Sequence, residues 1–143
     1  YNKLMKLIHS KNQNIKFIIV GSESEKKHCF SKLTSGINKE NIIDLFGFNL
    51  TLTSAYMKKS NLFIGNDSGL MHLSVASNLK TIALFGPTND KVYGPYGINN
   101  IVLRTDESFE YFQSININPN ISYMNSILPS KVFKIIEEIK FYD

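Results

Sequence analysis

The amino-acid sequence predicts an α/β fold in which helices flank a parallel β-sheet. Short apolar runs recur along the chain, and several of them end in glycine, as expected of strands that are buried on both faces. Between these runs lie segments of about ten residues with apolar side chains at helical spacing. Strands that alternate with helices in this order pair in parallel, because each crossover helix returns the chain to the edge where the previous strand began.

The first half of the chain predicts two helices and two strands. Residues 1–10 place apolar side chains on one face and lysines on the other, which indicates an amphipathic helix. Residues 15–20 form a continuous apolar run that ends in a Gly-Ser pair, typical of a buried strand. A helix over about residues 23–33 and a strand at residues 42–46 follow.

The second half continues the same alternation. Its predicted elements are, in order, a helix that includes residues 52–59, a strand at residues 62–65, a helix at residues 70–79, and strands at residues 81–85 and 101–103. Residues 107–125 show no clear period and contain Pro119, which predicts a long surface connection. Pro129 then starts a helix whose apolar stripe runs from Val132 through Tyr142.

Length and composition predict one soluble globular domain over residues 1–143. Hydrophobic residues make up 43% of the chain and charged residues 20%, and neither value indicates a disordered or fibrous protein. The net charge of +4 comes from scattered lysines, which speaks against a nucleic-acid-binding arm. The same mild charge suits contact with a phosphate ligand or an anionic membrane surface.

The single cysteine, Cys29, limits the chemistry that the chain can support. It forms no internal disulfide and offers no metal-ligand spacing, so we expect a reducing compartment. No apolar stretch approaches the roughly 20 residues needed to cross a bilayer, and no signal peptide opens the chain, so export is not expected. No carboxylate cluster suits Mg²⁺, and we expect neither a metal nor a cofactor.

The strongest candidate site is the run GNDSGLMH at residues 65–72, which follows a predicted strand and opens a helix. Free N–H groups at a helix N-terminus favour an anion, and ligands of open α/β sheets bind at the carboxyl ends of the strands. Gly65 and Gly69 would let the backbone approach a ligand closely. Asp67 and His72 place a carboxylate and a titratable donor at the mouth of the same helix.

A purely structural interpretation of the same run stays open. Asp67 and Ser68 are ordinary N-cap residues, whose side chains satisfy the first N–H groups of a helix. His72 taken alone is of a type that is more often packed or exposed than functional. The sequence therefore leaves two hypotheses, a capped helix and an anion site.

Two further segments are candidates of the same kind. Gly86, Pro87 and Thr88 leave the next strand at the same sheet edge, and together with residues 93–97 they predict either plain turns or a rim over a ligand. Glu25 follows a strand end, where a carboxylate could accept hydrogen bonds from ribose hydroxyls. The alternative for Glu25 is a structural role in the first turn of a helix.

The residues around these candidates resemble a known family. The stretch NLFIGNDSGLMHLSVA at residues 61–76, followed by ALFGPT at residues 83–88, is similar to the signature of glycosyltransferase family 9. The similarity extends more loosely to residues 17–25 and 124–132. That family holds the lipopolysaccharide heptosyltransferases, which have two Rossmann-like domains in a GT-B arrangement.

The resemblance implies that the chain is the Rossmann-like, C-terminal domain, which binds ADP-heptose or a related nucleotide sugar. By position, Asp67 would contact the donor sugar. The backbone of Ser68 and Gly69, together with His72, would lie against the diphosphate and the sugar, and Leu70 would belong to the same donor-binding run.

The resemblance also assigns the outer parts of the donor site. Glu25 matches the family's acidic residue near the ribose, and Phe48 falls where the chain passes the adenine. Residues 86–88 would form a secondary rim. Because Asp67 would repel a diphosphate, it must instead accept hydrogen bonds from hydroxyl groups, which leaves the phosphates to N–H groups and His72.

The chain departs from the family's pattern in two ways. Family members usually carry cysteines in the connection before the last helix, and residues 115–123 have none. We also expect two parts of the family pattern to precede Tyr1: the first strand of the donor domain with its phosphate-gripping lysine loop, and an N-terminal domain with the acceptor site and the general base. No catalytic residue is therefore expected in this chain, and the chain alone is expected to be inactive.

For the intact protein, the resemblance implies an inverting glycosyltransferase that moves a heptose-type sugar from an ADP donor to the lipopolysaccharide core. We expect it in the cytoplasm, with a peripheral contact to the inner membrane left open. One alternative is a GT-B-like transferase of another sugar or a nucleotide-sugar epimerase. The other is a non-catalytic module that binds a nucleotide or a phosphate.

Overall fold

The computed structural model describes residues 1–139, so Tyr142, at the end of the predicted apolar stripe, lies outside the described residues. The chain divides into two compact units, one formed by residues 1–53 with the segment from residue 129 onward, and one formed by residues 54–128. Each unit has its own parallel sheet and apolar core. Within residues 1–139, no helix combines the length and the apolar character that a membrane crossing requires.

Helices and strands alternate along the chain as the sequence predicts. The elements are, in chain order, α1 (Asn2–Lys11), β1 (Phe17–Gly21), α2 (Glu23–Thr34), a short 3-10 turn (Lys39–Asn41), β2 (Ile42–Phe46), α3 (Leu50–Met57), β3 (Phe63–Asn66), α4 (Gly69–Ala76), β4 (Thr81–Phe85), α5 (Asp90–Tyr93), β5 (Ile101–Arg104), α6 (Phe109–Gln113) and α7 (Pro129–Glu138). All five predicted strands are present, and β2 and β4 have the predicted bounds.

The first unit is built on the pair β1 and β2. The two strands run parallel, from Phe17 opposite Ile42 to Gly21 opposite Phe46. Side chains from a helix, both strands and a loop meet beside this sheet in one buried core, made of Met5, Ile19, Ile37 and Phe46. The carboxyl ends of both strands therefore lie at one edge, where Gly47 N–H extends the ladder by donating to the carbonyl oxygen of Gly21 at 2.9 Å.

The last helix belongs to the first unit and packs through the predicted apolar stripe. Val132 and Ile136 are buried, with 2% and 0% of their surface exposed. Helix α7 lies against α1, where the Lys11 ammonium is 3.4 Å from the Glu137 carboxylate. The stripe is thus confirmed for the part of it that the structure describes.

The second unit is built on three parallel strands in the order β3-β4-β5. Strand β4 lies in the middle and is buried at every position, which explains its continuous apolar run. Its side chains pack against α4 in a core of Phe63, Met71, Ala83 and Phe85. The hydroxyls of Ser74 and Thr81, both fully buried, satisfy each other at 2.7 Å.

The structure differs from the sequence prediction in its sheet connectivity and in two short helices. The sequence predicts one sheet, but the ladder hydrogen bonds define two, because within residues 1–139 no strand pairs with both β1 and β3. Helix α6 lies inside the predicted connection at residues 107–125, and α5 follows β4. Each of these helices is five residues or fewer, too short for a helical period to be visible in the sequence.

Candidate functional site

The strongest candidate site begins where β3 ends. The backbone N–H of Asp67 donates to the carbonyl oxygen of Leu84 at 3.2 Å, one residue beyond the paired strands. Ser68 follows in an extended conformation, with φ −165° and ψ 166°, and α4 begins at Gly69. The chain thus passes from a buried strand to a helix within two residues, which directs the N-terminus of α4 to the carboxyl edge of the sheet.

No side chain in the described part of the chain caps the N-terminus of α4. The N–H groups of Met71 and His72 donate to the carbonyl oxygen of Ser68, at 3.1 Å and 3.4 Å. The N–H groups of Gly69 and Leu70 have no acceptor within residues 1–139. The capped-helix hypothesis is therefore wrong for this helix, and two donors stay available at its positive end.

The two side chains that the sequence singles out lie beside these donors. Asp67 is half-buried and precedes the N-cap residue, and its carboxylate has no hydrogen-bond or ion-pair partner in the described part of the chain. His72 is exposed in the first turn of α4, and its ring has no partner there either. One end of one helix therefore offers two N–H donors, a carboxylate and an imidazole.

The two glycines of the run have different roles. A Cβ on Gly65 would lie 2.6 Å from the Phe63 ring, so this glycine is required by packing within the unit. A Cβ on Gly69 would meet no atom within 4 Å among residues 1–139, apart from its chain neighbours and the backbone of its own helix, so the space beside Gly69 is open. Of the two, only Gly69 borders room that a ligand could fill.

The segment of residues 86–88 leaves β4 at the same edge. Parallel pairing of β3 with β4 places Asn66 opposite Leu84, so the loops that follow both strands start side by side. Gly86 is buried, and a Cβ there would lie 3.1 Å from the Met124 side chain. The long connection thus covers one side of this segment.

Arg104 contributes a side chain that sequence reasoning misses. It stands at the end of β5 and donates from Nη2 to the carbonyl oxygen of Gly86 at 2.9 Å and from Nη1 to that of Thr88 at 3.1 Å. Its guanidinium also pairs with the Asp90 carboxylate. The only sequence signal is that Arg104 is the one arginine among 16 basic residues.

Tyr96, in the segment of residues 93–97, lies away from the candidate site. The Asn100 side chain donates to the carbonyl oxygen of Tyr96 at 2.7 Å and accepts from the N–H of Thr81 at 3.2 Å. Thr81 is the first residue of β4, so Tyr96 lies at the amino edge of the sheet. The rim hypothesis fails for Tyr96 because the chain has reached the amino edge of the sheet there, before β5 begins.

Glu25, in the first unit, has the structural role that the sequence leaves open. Ser22 donates to Glu25 Oε2 from its backbone N–H at 2.7 Å and from its hydroxyl at 2.6 Å. The Ser22 hydroxyl in turn accepts from the Glu25 N–H, which completes a capping box at the start of α2. The Ser22 hydroxyl, followed by its N–H, holds the pKa of Glu25 below its ordinary value. Within residues 1–139 no hydrogen bond reaches the second oxygen, Oε1, which is left for a ligand.

Phe48 lies at the carboxyl edge of the two-stranded sheet. Gly47 precedes it with φ +75°, a conformation that L side chains rarely adopt, and a Cβ there would lie 2.8 Å from the Glu23 carboxylate. This turn leaves Phe48 with 51% of its surface exposed. An exposed aromatic ring at a strand end offers a flat apolar surface on which a base could stack.

The structure thus distributes the predicted site residues over both units. The second unit holds the main cluster, Asp67, Ser68, Gly69, Leu70 and His72, with Gly86, Pro87 and Thr88 beside it. The first unit holds Glu25 and Phe48 at the carboxyl edge of its own sheet. Within residues 1–139, no group of three or more His, Cys, Asp or Glu side chains could hold a metal ion.

Comparison with known proteins connects this arrangement to a family of enzymes. The lipopolysaccharide heptosyltransferase 1 of Pseudomonas aeruginosa is 31% identical over 86 residues, which cover 60% of this chain and 23% of that protein. The chain therefore spans about a quarter of the length of the curated relative that it matches.

Solved structures confirm the fold class. The glycosyl transferase family 9 structure from Veillonella parvula aligns with a TM-score of 0.80 at 25% identity, over 100% of this chain and 42% of that chain. The E. coli heptosyltransferase WaaC with ADP aligns with a TM-score of 0.75 at 20% identity, over 96% of this chain and 37% of that one. The model of glycosyltransferase family 9 (heptosyltransferase) matches residues 1–120, well over half of the sequence. The chain therefore belongs to glycosyltransferase family 9.

Proposed function

We propose that this chain is the donor-binding part of an inverting glycosyltransferase that transfers a heptose-type sugar from an ADP-sugar to a lipopolysaccharide core. Family membership and the heptosyltransferase named among its relatives support this assignment. Both favour the heptose transferase over an epimerase or a non-catalytic binding module. We assign only the donor side of the reaction to residues 1–143, and we place the acceptor site and the general base in a further domain.

The observation that carries the proposal is the uncapped N-terminus of α4. Two N–H groups, those of Gly69 and Leu70, lack an acceptor among residues 1–139, at the positive end of a helix of eight residues. A diphosphate supplies acceptors of the right charge for such donors. When the sugar leaves, negative charge grows on the diphosphate, and donors that are already in place stabilise that charge without rearranging.

The Asp67 carboxylate, beside these donors, determines where the sugar and the phosphates of the ligand lie. Asp67 would repel a diphosphate at close range, so we assign it to the hydroxyl groups of the sugar, which donate hydrogen bonds to it. His72 is exposed at the same helix end and is assigned to the phosphates. The helix N-terminus then orients the donor, with the sugar beside Asp67 and the leaving group over α4.

The first unit is assigned to the nucleoside. Phe48 offers an exposed ring to the adenine, and Glu25 has one carboxylate oxygen, Oε1, available for a ribose hydroxyl. The capping bonds of Oε2 fix the position of that free oxygen, so the structural role and the binding role are compatible. The cytoplasmic location of the protein stays a prediction.

One substitution at Gly69 tests the role of the backbone donors. Proline at the first position of a helix is well tolerated, and it removes the N–H group. Gly69→Pro should therefore weaken the binding of ADP to the complete protein about tenfold or more, the cost of a lost hydrogen bond to a charged group. Calorimetric titration measures that affinity, and thermal unfolding shows whether the fold is retained.

Gly69→Ala is the matched control because it keeps the N–H group and its Cβ meets no atom within 4 Å. The proposal expects Gly69→Ala to bind ADP about tenfold or more tightly than Gly69→Pro, because only the alanine variant keeps the N–H donor. Equal ADP affinity for folded Gly69→Pro and Gly69→Ala proteins would contradict the role of α4. Failure of the complete wild-type protein to bind either ADP or ADP-heptose would contradict the proposed function itself.

A further inference from the structure

We propose that Arg104 is a positioning residue that fixes the segment of residues 86–88 at the donor site. The inference rests on the proposed function, because it presumes that the carboxyl edge of the second unit binds the nucleotide sugar. Arg104 itself is not assigned to the ligand. It acts through the loop that it holds.

The guanidinium of Arg104 connects three separate parts of the unit. Its Nη2 reaches the carbonyl oxygen of Gly86 at 2.9 Å, its Nη1 reaches that of Thr88 at 3.1 Å, and its Nε reaches that of Glu107 at 3.3 Å. Nη1 also pairs with the carboxylate of Asp90 in the first turn of α5. Four of the five N–H donors are thus used inside the protein, which leaves little of the group for a ligand.

The ion pair between Arg104 and Asp90 is largely shielded from solvent. The Arg104 side chain is 19% exposed and the Asp90 side chain is 25% exposed, so solvent screens their interaction less than it screens an ordinary surface pair. On its other side, Gly86 lies close to Met124, since a Cβ at Gly86 would be only 3.1 Å from that side chain. Arg104 and Met124 together hold the start of the segment from two directions.

The same contacts direct the carbonyl groups of the segment. The oxygens of Gly86 and Thr88 point at the guanidinium, and so cannot both be turned toward a bound anion, which they would repel. Pairing with Arg104 also neutralises Asp90, a carboxylate that would otherwise add negative charge near the edge. Loss of the Arg104 contacts would therefore weaken diphosphate binding in two ways. Residues 86–88 would no longer be held in position, and the charge of Asp90 would no longer be neutralised.

Lysine cannot replace arginine in this role. A guanidinium is a planar fork whose donors point in fixed, separate directions, whereas an ammonium is a single nitrogen on a flexible stem. Residues 86, 88, 90 and 107 supply acceptors on different sides of Arg104. The geometry accounts for arginine at position 104, in a chain whose other 15 basic residues are lysines.

Arg104→Lys in the complete protein tests the proposal. We expect the fold to be retained, the ADP dissociation constant and the KM for the sugar donor to rise about tenfold, and kcat and the KM for the acceptor to change little. Amide hydrogen exchange at Thr105, whose N–H donates to the carbonyl oxygen of Phe85 at 2.9 Å directly before the segment, should become faster in the variant. Lys80→Ala, which removes an exposed charge just before β4, at the amino edge of the same sheet, is the control and should match the wild type.

The outcomes separate this inference from the proposed function. If the wild type binds ADP and the folded Arg104→Lys protein binds it equally well, the positioning role is wrong and the donor site stands. If Arg104→Lys does not fold, Arg104 is required for the stability of the fold, and this result also overturns the positioning role. If the wild type binds neither ADP nor ADP-heptose, the proposed function fails first, and this inference fails with it.

Discussion

The backbone N–H of Asp67 donates a hydrogen bond to the carbonyl oxygen of Leu84 at 3.2 Å. This bond extends the ladder between β3 and β4 by one residue and holds the backbone of Asp67 to the sheet. The Asp67 carboxylate, half-buried and without a partner among residues 1–139, is thereby placed next to the start of α4. A side chain on such a fixed backbone can discriminate between parts of a ligand.

Substitution of Asp67 should change the affinity for ADP-heptose and the affinity for ADP differently. Because Asp67 is assigned to the sugar hydroxyls and repels phosphate, Asp67→Ala should weaken the binding of ADP-heptose about tenfold or more and leave ADP binding unchanged or tighter. Calorimetric titration of the complete protein with both ligands measures the difference. An equal loss for the two ligands would contradict the assignment of Asp67 to the sugar.

Substitution of His72 should affect both ligands. His72 is assigned to the phosphates, which ADP and ADP-heptose share, so His72→Ala should weaken the two affinities by similar factors. Its control is His28→Ala in α2, since His28 is also an exposed helical histidine. If His28→Ala and His72→Ala bind ADP alike, His72 is only a surface residue.

Phe48 should contribute stacking to the nucleoside. Loss of an aromatic ring under a base costs about 1–3 kcal/mol, so Phe48→Ala should weaken ADP binding about fivefold or more, and Phe48→Tyr should retain most of it. Tyr96→Ala is the matched control, because Tyr96 is 89% exposed but lies at the amino edge of its sheet. A loss of ADP affinity in Tyr96→Ala but not in Phe48→Ala would contradict the assignment of Phe48 to the adenine.

The two glycines of the main cluster should differ in their effect on stability. A Cβ at Gly65 would lie 2.6 Å from the Phe63 ring, which packs on the core of the second unit, so Gly65→Ala should destabilise the fold by about 1–3 kcal/mol. Gly69→Ala should leave stability unchanged or slightly higher, because alanine favours the helix and its Cβ has room. Urea unfolding of both variants measures this contrast, and a stable Gly65→Ala protein would show that the Phe63 ring moves freely.

The capping box of α2 should make stability depend on pH in the acid range. Hydrogen bonds from the Ser22 hydroxyl and N–H hold the pKa of Glu25 below its ordinary value of 4.5. Glu25 therefore contributes its stabilisation fully above that value and loses it as pH falls through the lower pKa of the folded state. The stability difference between the wild type and Glu25→Gln should be largest near neutral pH and shrink on acidification. A difference that is the same at neutral and acid pH would show that the charge of Glu25 is irrelevant to the cap.

The strands and the main cluster could be predicted because their signals are local. Each strand is a short apolar run next to a turn, and the GNDSGLMH run carries its strand end, glycines and helix start in eight consecutive residues. Parallel pairing then places residues 86–88 beside that run, since consecutive parallel strands end at one edge.

The roles of single side chains could not be predicted, because they depend on residues that are distant in the sequence or on the conformation of the local backbone. Arg104 contacts the segment beside the candidate site only because the fold brings it near Gly86 and Thr88, which lie 18 and 16 positions earlier in the chain. Ser68 is an N-cap by position, but its side chain accepts no capping bond, which no sequence pattern reveals. Residues 93–97 follow the second loop closely in sequence, yet Tyr96 lies at the opposite edge, because the chain between β4 and β5 returns to the amino ends of the strands.

The most direct test of the donor site is an amide NMR titration of the isotope-labelled protein with ADP. We predict saturable shifts that are largest for the N–H groups of Gly69 and Leu70, the donors that have no acceptor within residues 1–139. Smaller shifts should follow at Gly86 and Thr88, and none at Tyr96. Saturable ADP binding that leaves the Gly69 and Leu70 amides unshifted would contradict the assignment of the diphosphate to α4.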